Sequence, residues 1–303
     1  MVVCIGIAKL CIKNIFKGNH GKVMSYSKEL EYFTNLYAEQ ENDILIITSD
    51  GNNGASVNKE SYQPSQDYLA YLDIASNELK KGRGVLFWLT SKDDYDRHGM
   101  QHPFYFKKGT IYKLKVKESK ESIRRRDRCP YFMVIEVIEK DLHHEGLLSI
   151  LEEYRKPIVI TDVLGEFTLD KNLSYFDGQI KWCGENISAH MSVDNDDKTT
   201  WDSALETLRF LCGKQDEIDS DLRKFASQEL TDLANDWAEE DDEGDGKEIT
   251  EEDFASRLEL YTISVSTNGE YTAWYDDDDM FWGHSVTVSC NTKIGAYSAR
   301  IEG

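Results

Sequence analysis

Proline is scarce in this sequence, with four residues (Pro64, Pro103, Pro130, Pro157) and none beyond Pro157. Six cysteines (Cys4, Cys11, Cys129, Cys183, Cys212, Cys290) are scattered without a single CxxC pair. That spacing excludes a zinc knuckle or thioredoxin-type motif and reads as reduced thiols in a cytosolic protein. No apolar run approaches the roughly 20 residues of a membrane span. GxSxG, Walker, HExxH and GxGxxG patterns are all missing, so nucleophilic and nucleotide-dependent chemistry have no motif behind them.

Positive charge is also scarce, and unevenly so. From residue 158 onward there are 34 acidic and 11 basic residues, a net charge of −23; residues 1–157 hold 22 and 24, a net charge of +2. A length of 303 residues calls for two cores rather than one. The charge shift after the last proline places a boundary near Pro157. So negative a second half is a poor nucleic-acid surface, because phosphate must be neutralised by Lys and Arg. It suits capture of a basic partner, and it also keeps a protein soluble.

The first 23 residues carry Lys9, Lys13, Lys17 and Lys22 and no acid. Lys9 interrupts the apolar run, unlike the charge order of a signal peptide. The segment reads as an extension, with Met24 as the working first residue, and the alternative is a basic amphipathic helix on a membrane surface.

Periodicity then predicts the elements of residues 24–157. A helix is expected in SKELEYFTNLYAEQ from Ser27, a buried strand at 43–48, and a loop over DGNNGASVN. A second helix follows Pro64, with Tyr68, Leu69, Leu72, Ala75 and Leu79 on one stripe and Gly82 as its cap. Strands are expected at 85–90, 110–117 and 131–139, the middle one at an edge or half-exposed, and a helix at 147–154.

In residues 158–303, EFTLDKNLSYFDGQIKW with an Asp177-Gly178 turn and NISAHMSV read as a meander. Thr199 with Asp202 is expected to cap a helix, and a longer helix over 216–239 buries Leu222, Phe225, Leu230, Leu233 and Trp237. Thr250 and Asp253 form a capping box. Asn268-Gly269 joins two strands, and HSVTVSC supplies the last clear strand. The fold class is therefore α+β, two domains, each an antiparallel sheet with helices packed on one face.

LGEFTLDKNLSYFDGQIKW (164–182), the helix pair ending near Trp237, EITEEDFASRLEL (248–260) and Phe281-Trp282-Gly283-His284-Ser285 resemble the bacterial domain of unknown function 2262. The resemblance runs from about Val163 to Gly303. It implies a fold-sized unit and no mechanism. By analogy with small acidic bacterial domains, an immunity-type or regulatory role is the expectation.

Four constellations are candidate sites. Asp276, Asp277, Asp278 and Asp279 with His284 have the composition of a divalent-metal centre, but neighbouring side chains of an extended segment point to opposite faces. Trp274, Phe281 and Trp282 around Asp278 are interface candidates. Asp241, Glu243, Asp245 and Glu252 match the oxygen positions of a calcium loop, with Gly246 at its glycine; Glu248 then falls where an aliphatic residue belongs. The favoured reading of that stretch is an acidic linker, so no cofactor is predicted beyond weak binding of calcium or another divalent ion. Finally, segment 107–128 interleaves Lys113, Lys115, Lys117, Arg124, Arg125, Arg126 and Arg128 with aromatics, the composition of a nucleic-acid surface. His98, His102, His143 and His144 lack cysteines at zinc-ligand spacing. The expected function is a non-enzymatic cytoplasmic binding module whose acidic domain captures a basic protein. The alternatives are a metal-dependent enzyme at Asp276–His284 and nucleic-acid binding by the first domain.

Overall fold

The computed structural model describes residues 25–50, 54–98, 105–121, 123, 129–239 and 247–303. The chain divides into two compact units, 1–156 and 157–303. Each combines helices with its own sheet. The expected N-terminal extension, Arg124, Arg125, Arg126, Arg128, Asp241, Glu243 and Asp245 lie outside the described residues.

The first unit contains α1 (Tyr26–Thr34), β1 (Tyr37–Thr48), β2 (Gly54–Val57), β3 (Ser61–Asp73), β4 (Glu78–Phe87), β5 (Thr90–Ser91), α2 (Lys92–His98), β6 (Ile111–Ser119), β7 (Phe132–Lys140) and α3 (Glu145–Arg155). β1 pairs with β3, β3 with β4, β4 with β7, β7 with β6, and β6 with β1 again. Five strands thus close into a barrel. β1, β3 and β4 follow one another and β6 returns beside β1, which is a Greek key; β7 closes the gap, running parallel to β4. A closed five-stranded Greek-key barrel is the architecture of the OB type.

Alternation explains the barrel. Ile44, Ile46, Tyr68, Leu86, Leu114, Val116, Phe132 and Val134 fill the interior. On the outside, Leu147 and Leu151 of α3 cover Ile47, Leu69, Ala70 and Ile111, while Phe33 of α1 packs on Tyr37 and Met133. Both faces of β3 are therefore buried, and its apolar run has no polar alternation.

That double burial overturns the helix expected after Pro64. Tyr68, Leu69 and Leu72 belong to β3 and Leu79 to β4, joined by a turn in which Asp73 accepts from the Ser76 N–H at 2.9 Å and Asn77 takes a left-handed φ of 55°. Gly82 is a strand residue, not a cap. β6 is flanked by β1 and β7, so of the two expected alternatives it is the half-exposed strand rather than an edge. The first helix ends at Thr34, and the next strand starts early, at Tyr37. β2 occupies part of the expected loop.

The second unit contains β8 (Val159–Asp162), β9 (Gly165–Asp170), β10 (Tyr175–Trp182), β11 (Glu185–Ser192), α4 (Lys198–Cys212), α5 (Gln215–Glu239), α6 (Glu251–Arg257), β12 (Glu259–Val265), β13 (Glu270–Asp276), β14 (Ser285–Asn291) and β15 (Gly295–Glu302). They form one open sheet in the order β15-β14-β13-β12-β11-β10-β9-β8. All neighbours are antiparallel except β11 and β12, where the three helices form the crossover a parallel pair requires. Phe176, Ile180, Ile187, Ala189, Ile263, Tyr271, Ala273, Tyr275, Val286 and Val288 share the core with Leu208 and Leu211 of α4, Leu222, Ala226 and Leu230 of α5, and Phe254 of α6.

Asn268 and Gly269 make the expected hairpin turn, with φ of 71° and 78°. The Thr250–Asp253 capping box is present in full. Asp177 and Gly178 instead sit mid-strand, where a Cβ at Gly178 would overlap the Phe167 ring. Here the glycine serves close packing, and the reversal comes at Cys183 and Gly184, with φ of 48° and 95°. Asp197, not Thr199, caps α4, accepting from the Thr199 N–H at 2.9 Å. On α5, Leu233 is exposed, and Ala226 and Ala234 take core positions instead. HSVTVSC is followed by one more strand, β15.

Candidate functional site

The segment from Asp276 to His284 is a compact turn between β13 and β14. Asp278, Asp279 and Trp282 all have left-handed φ (51°, 64° and 53°), followed by Gly283 at 83°. A run of such residues is held only when the surroundings over-determine it, and here the aspartates supply the restraint. Asp276 Oδ1 accepts from the Asp278 N–H at 3.0 Å. Asp277 is buried, and its Oδ2 accepts from the Phe281 N–H at 2.6 Å. Burial pushes the Asp277 carboxyl above its ordinary pKa, and the Phe281 N–H opposes that rise. Asp278 Oδ2 accepts from Arg257 Nε at 2.9 Å, and a second Arg257 N–H donates to the Asp278 carbonyl at 2.7 Å. His284 donates from Nδ1 to the Phe281 carbonyl at 2.6 Å.

The carboxylates of Asp276, Asp277 and Asp278 are thus engaged one by one with backbone N–H groups and Arg257. Among the described residues no group of three or more His, Cys, Asp or Glu side chains is arranged to hold a metal ion. Glu252, from the calcium-loop pattern, is exposed in the first turn of α6. His144 caps α3 through Nδ1, which accepts from the Leu147 N–H at 3.2 Å.

The same turn sorts the aromatics. Phe281 is fully buried against Phe254 and Trp237, so it is a core residue. Trp282 is 53% exposed, yet its ring lies 4.9 Å from that of Trp237, which in turn is 5.6 Å from His284. Trp274 is half-buried on the sheet face opposite the helices. On that face it lies opposite Thr262 on one side and Thr287 on the other. The sequence marked Trp282 but not its partner Trp237, which falls on the helical stripe of α5 and was expected to be core.

Trp237 lies in the last turn of α5, which holds eight acidic and two basic residues. Asp216, Glu217, Asp221, Glu229, Asp232 and Asp236 are exposed. Arg223 cannot offset them: it donates to Asp219 at 2.6 Å and to the carbonyls of Ala255 and Leu258. The helix presents a predominantly anionic surface, interrupted by the exposed Lys224, beside the Trp237–Trp282 pair.

In the first unit, Lys113, Lys115 and Lys117 project from β6 between acids. Lys113 lies opposite Glu139, and Lys115 opposite Glu136. Lys115 Nζ is 3.2 Å from Asp43, and Lys117 is 4.0 Å from Glu41. The alternating lysines form a cross-strand charge ladder, a normal stabiliser of a sheet face.

Residues 161–301 match the family described as "Uncharacterized protein conserved in bacteria (DUF2262)". Residues 29–154 match "Domain of unknown function (DUF7021)". No curated protein matches the chain. No helix among the described residues is long and apolar enough to cross a membrane.

Proposed function

We propose that the second unit is a binding module that captures a basic protein partner. The observation that supports this is the exposed acidic side of α5, its one central arginine internally engaged, ending at the exposed Trp282 and its neighbour Trp237. Fields of one sign accelerate encounter and respond to salt. A half-exposed tryptophan supplies an anchor, and its ring face attracts Lys or Arg. An immunity-type or regulatory role is the biological setting this reading fits. The test is native co-purification at low and high ionic strength with Asp232→Asn/Asp236→Asn and Trp282→Ala chains. The expected outcome is a basic partner released by salt and, for Trp282→Ala, an affinity reduced by about 30-fold, as for an interface hot spot. Equal retention by all chains, or none at low salt, sinks the reading.

A second reading concerns the first unit. Closed Greek-key barrels of the OB type bind oligonucleotides and oligosaccharides, and the connection between β6 and β7 carries Arg124, Arg125, Arg126 and Arg128. Gel-shift titration of the full chain against a single-stranded oligonucleotide tests it, because phosphate contacts give a steep salt dependence. No shift at low salt discards it.

A further inference from the structure

The two edges of the open sheet differ. β8 has four residues, follows closely on Pro157, and ends at Asp162, which accepts from Arg209 at 2.5 Å. Short length, proline and charge are the usual means of blunting an edge. β15, the opposite edge, spans eight residues, Gly295 to Glu302, with no proline or lysine. Among the described residues no strand pairs with its outer side. It is the longer edge, and its charges are confined to its last three residues, at Arg300 and Glu302.

The surroundings of β15 are also distinctive. Exposed large apolar side chains lie at both of its ends: Ile294 and Tyr297 at the start and, past Gly303, Trp282. At the far end Gly303 lies so close to the His284 imidazole that an added Cβ would run into it, and His284 adjoins Trp237. α5 packs across β14 and β15, whereas α4 lies over β11 and β12. The acidic helix is therefore the one flanking the open edge, with Asp232, Leu233 and Asp236 on its exposed side. A strand added to β15 would run beside that anionic flank and finish near Trp282.

We infer that β15 is the docking edge for an extended, lysine- or arginine-bearing segment of the partner protein, bound by strand addition. The inference rests on the capture reading above and names its recognition mode. Main-chain hydrogen bonds to β15 provide the pairing, and alternate side chains of the incoming segment meet the α5 acids and the apolar ends. Charge complementarity to α5 selects a basic segment over a second copy of this acidic chain.

The experiment uses the full chain and two capped decapeptides, one alternating lysine and valine, the other glutamate and valine, with hydrogen exchange read residue by residue. At low ionic strength the lysine peptide is expected to slow exchange of alternate β15 amides by about tenfold or more at saturation, and the glutamate peptide to leave them unchanged. Successive residues alternate in direction along a strand, so one of Ser298→Pro and Ala299→Pro removes an outward N–H and abolishes that protection with the β14 pairing intact. Asp232→Lys/Asp236→Lys, on exposed positions, is the control that folds regardless, and it is expected to weaken the lysine peptide about tenfold or more. Binding that depends on Asp232 and Asp236 without β15 protection overturns the edge inference and leaves capture standing. Protection that rises with protein concentration alone assigns the edge to a second copy and overturns it too. No binding of the lysine peptide at low salt removes both.

Discussion

The barrel of the first unit and the open sheet of the second bury comparable cores by opposite means. Closing β1 onto both β3 and β6 uses up the hydrogen-bonding edges of the five barrel strands, so α1 and α3 only cover its outer surface. The second unit carries all three helices on one side of an eight-stranded open sheet, and the consequence is two sheet ends. A closed sheet gives up sites for strand addition, whereas an open one must protect its ends or use them. Charge follows the same division: in the barrel, lysines on β6 alternate with acids on both neighbours, while in the second unit the acids of α5 have few local partners.

The largest expected effect probes the rigidity of closure. Phe132 is 1% exposed inside the barrel and packs on Tyr71 at 4.9 Å and Tyr68 at 5.7 Å. A barrel wall paired all round cannot collapse into a void, so Phe132→Ala should cost about 3–5 kcal/mol. Phe281→Ala, equally buried but in a layer where Trp237 and Phe254 can resettle, should fall toward the lower end of that range. Denaturant unfolding of both variants decides; a cheaper loss in the barrel would break the comparison.

Glycines sharpen it next. A Cβ at Gly84 in β4 would overlap the Tyr68 ring, and one at Gly178 in β10 the Phe167 ring and the Glu166 carbonyl. Overpacking of this kind costs about 1–3 kcal/mol. Gly84→Ala should stand at the high end, because the Tyr68 hydroxyl that the Cβ would meet is itself held by donating to the Pro130 carbonyl at 2.5 Å. Thermal unfolding measures the difference, and equal shifts in both variants would remove the claim.

A smaller effect is shared by the units. Each has an aspartate held below the usual carboxylate pKa of 3.8 by an arginine hydrogen bond: Asp50 by Arg155 in the barrel, Asp162 by Arg209 beside the sheet. A depressed folded-state value means that stability is present above pH 3.8 and is lost as pH falls through the folded value. Acid titration of stability should therefore show losses only below about pH 4 from these pairs, and Asp50→Asn and Asp162→Asn should each flatten the curve there. An unchanged acid limb in either variant would exclude its pair.

Some of this was legible in the residues alone. Asn268-Gly269 and Thr250 with Asp253 act through local backbone geometry, so their signatures survive any tertiary context. Tyr68 to Leu79 misled because a strand buried on both faces has the unbroken apolar run of a buried helix. Gly178 misled because a glycine needed for ring packing looks the same as one needed for a turn. The acids of 276–279 were visible as a cluster, but whether carboxylates converge or cap their own backbone depends on φ at Asp278, Asp279 and Trp282. Barrel closure was beyond reach, since it rests on β1 pairing at both edges with partners far along the chain.

The smallest expected change concerns polar atoms that neither sheet has satisfied. Gln66, fully buried in β3, donates from its amide to the Asp67 carbonyl at 2.9 Å, yet its Oε1 has no partner among the described residues. Tyr275, fully buried in β13 beneath Arg223, has a hydroxyl in the same condition, and burial drives its pKa well up. A buried group without a partner has lost its water without recompense, at a cost of about 1–3 kcal/mol. Tyr275→Phe removes only the hydroxyl and keeps the ring under the guanidinium, so it should be neutral or stabilising by up to about 1 kcal/mol. Gln66→Leu also sacrifices the bond to Asp67 and should gain less. Chemical denaturation of both variants ranks them; a clear destabilisation by Tyr275→Phe would mean that the hydroxyl is working, and would point to polar chemistry beneath α5 rather than on its exposed side.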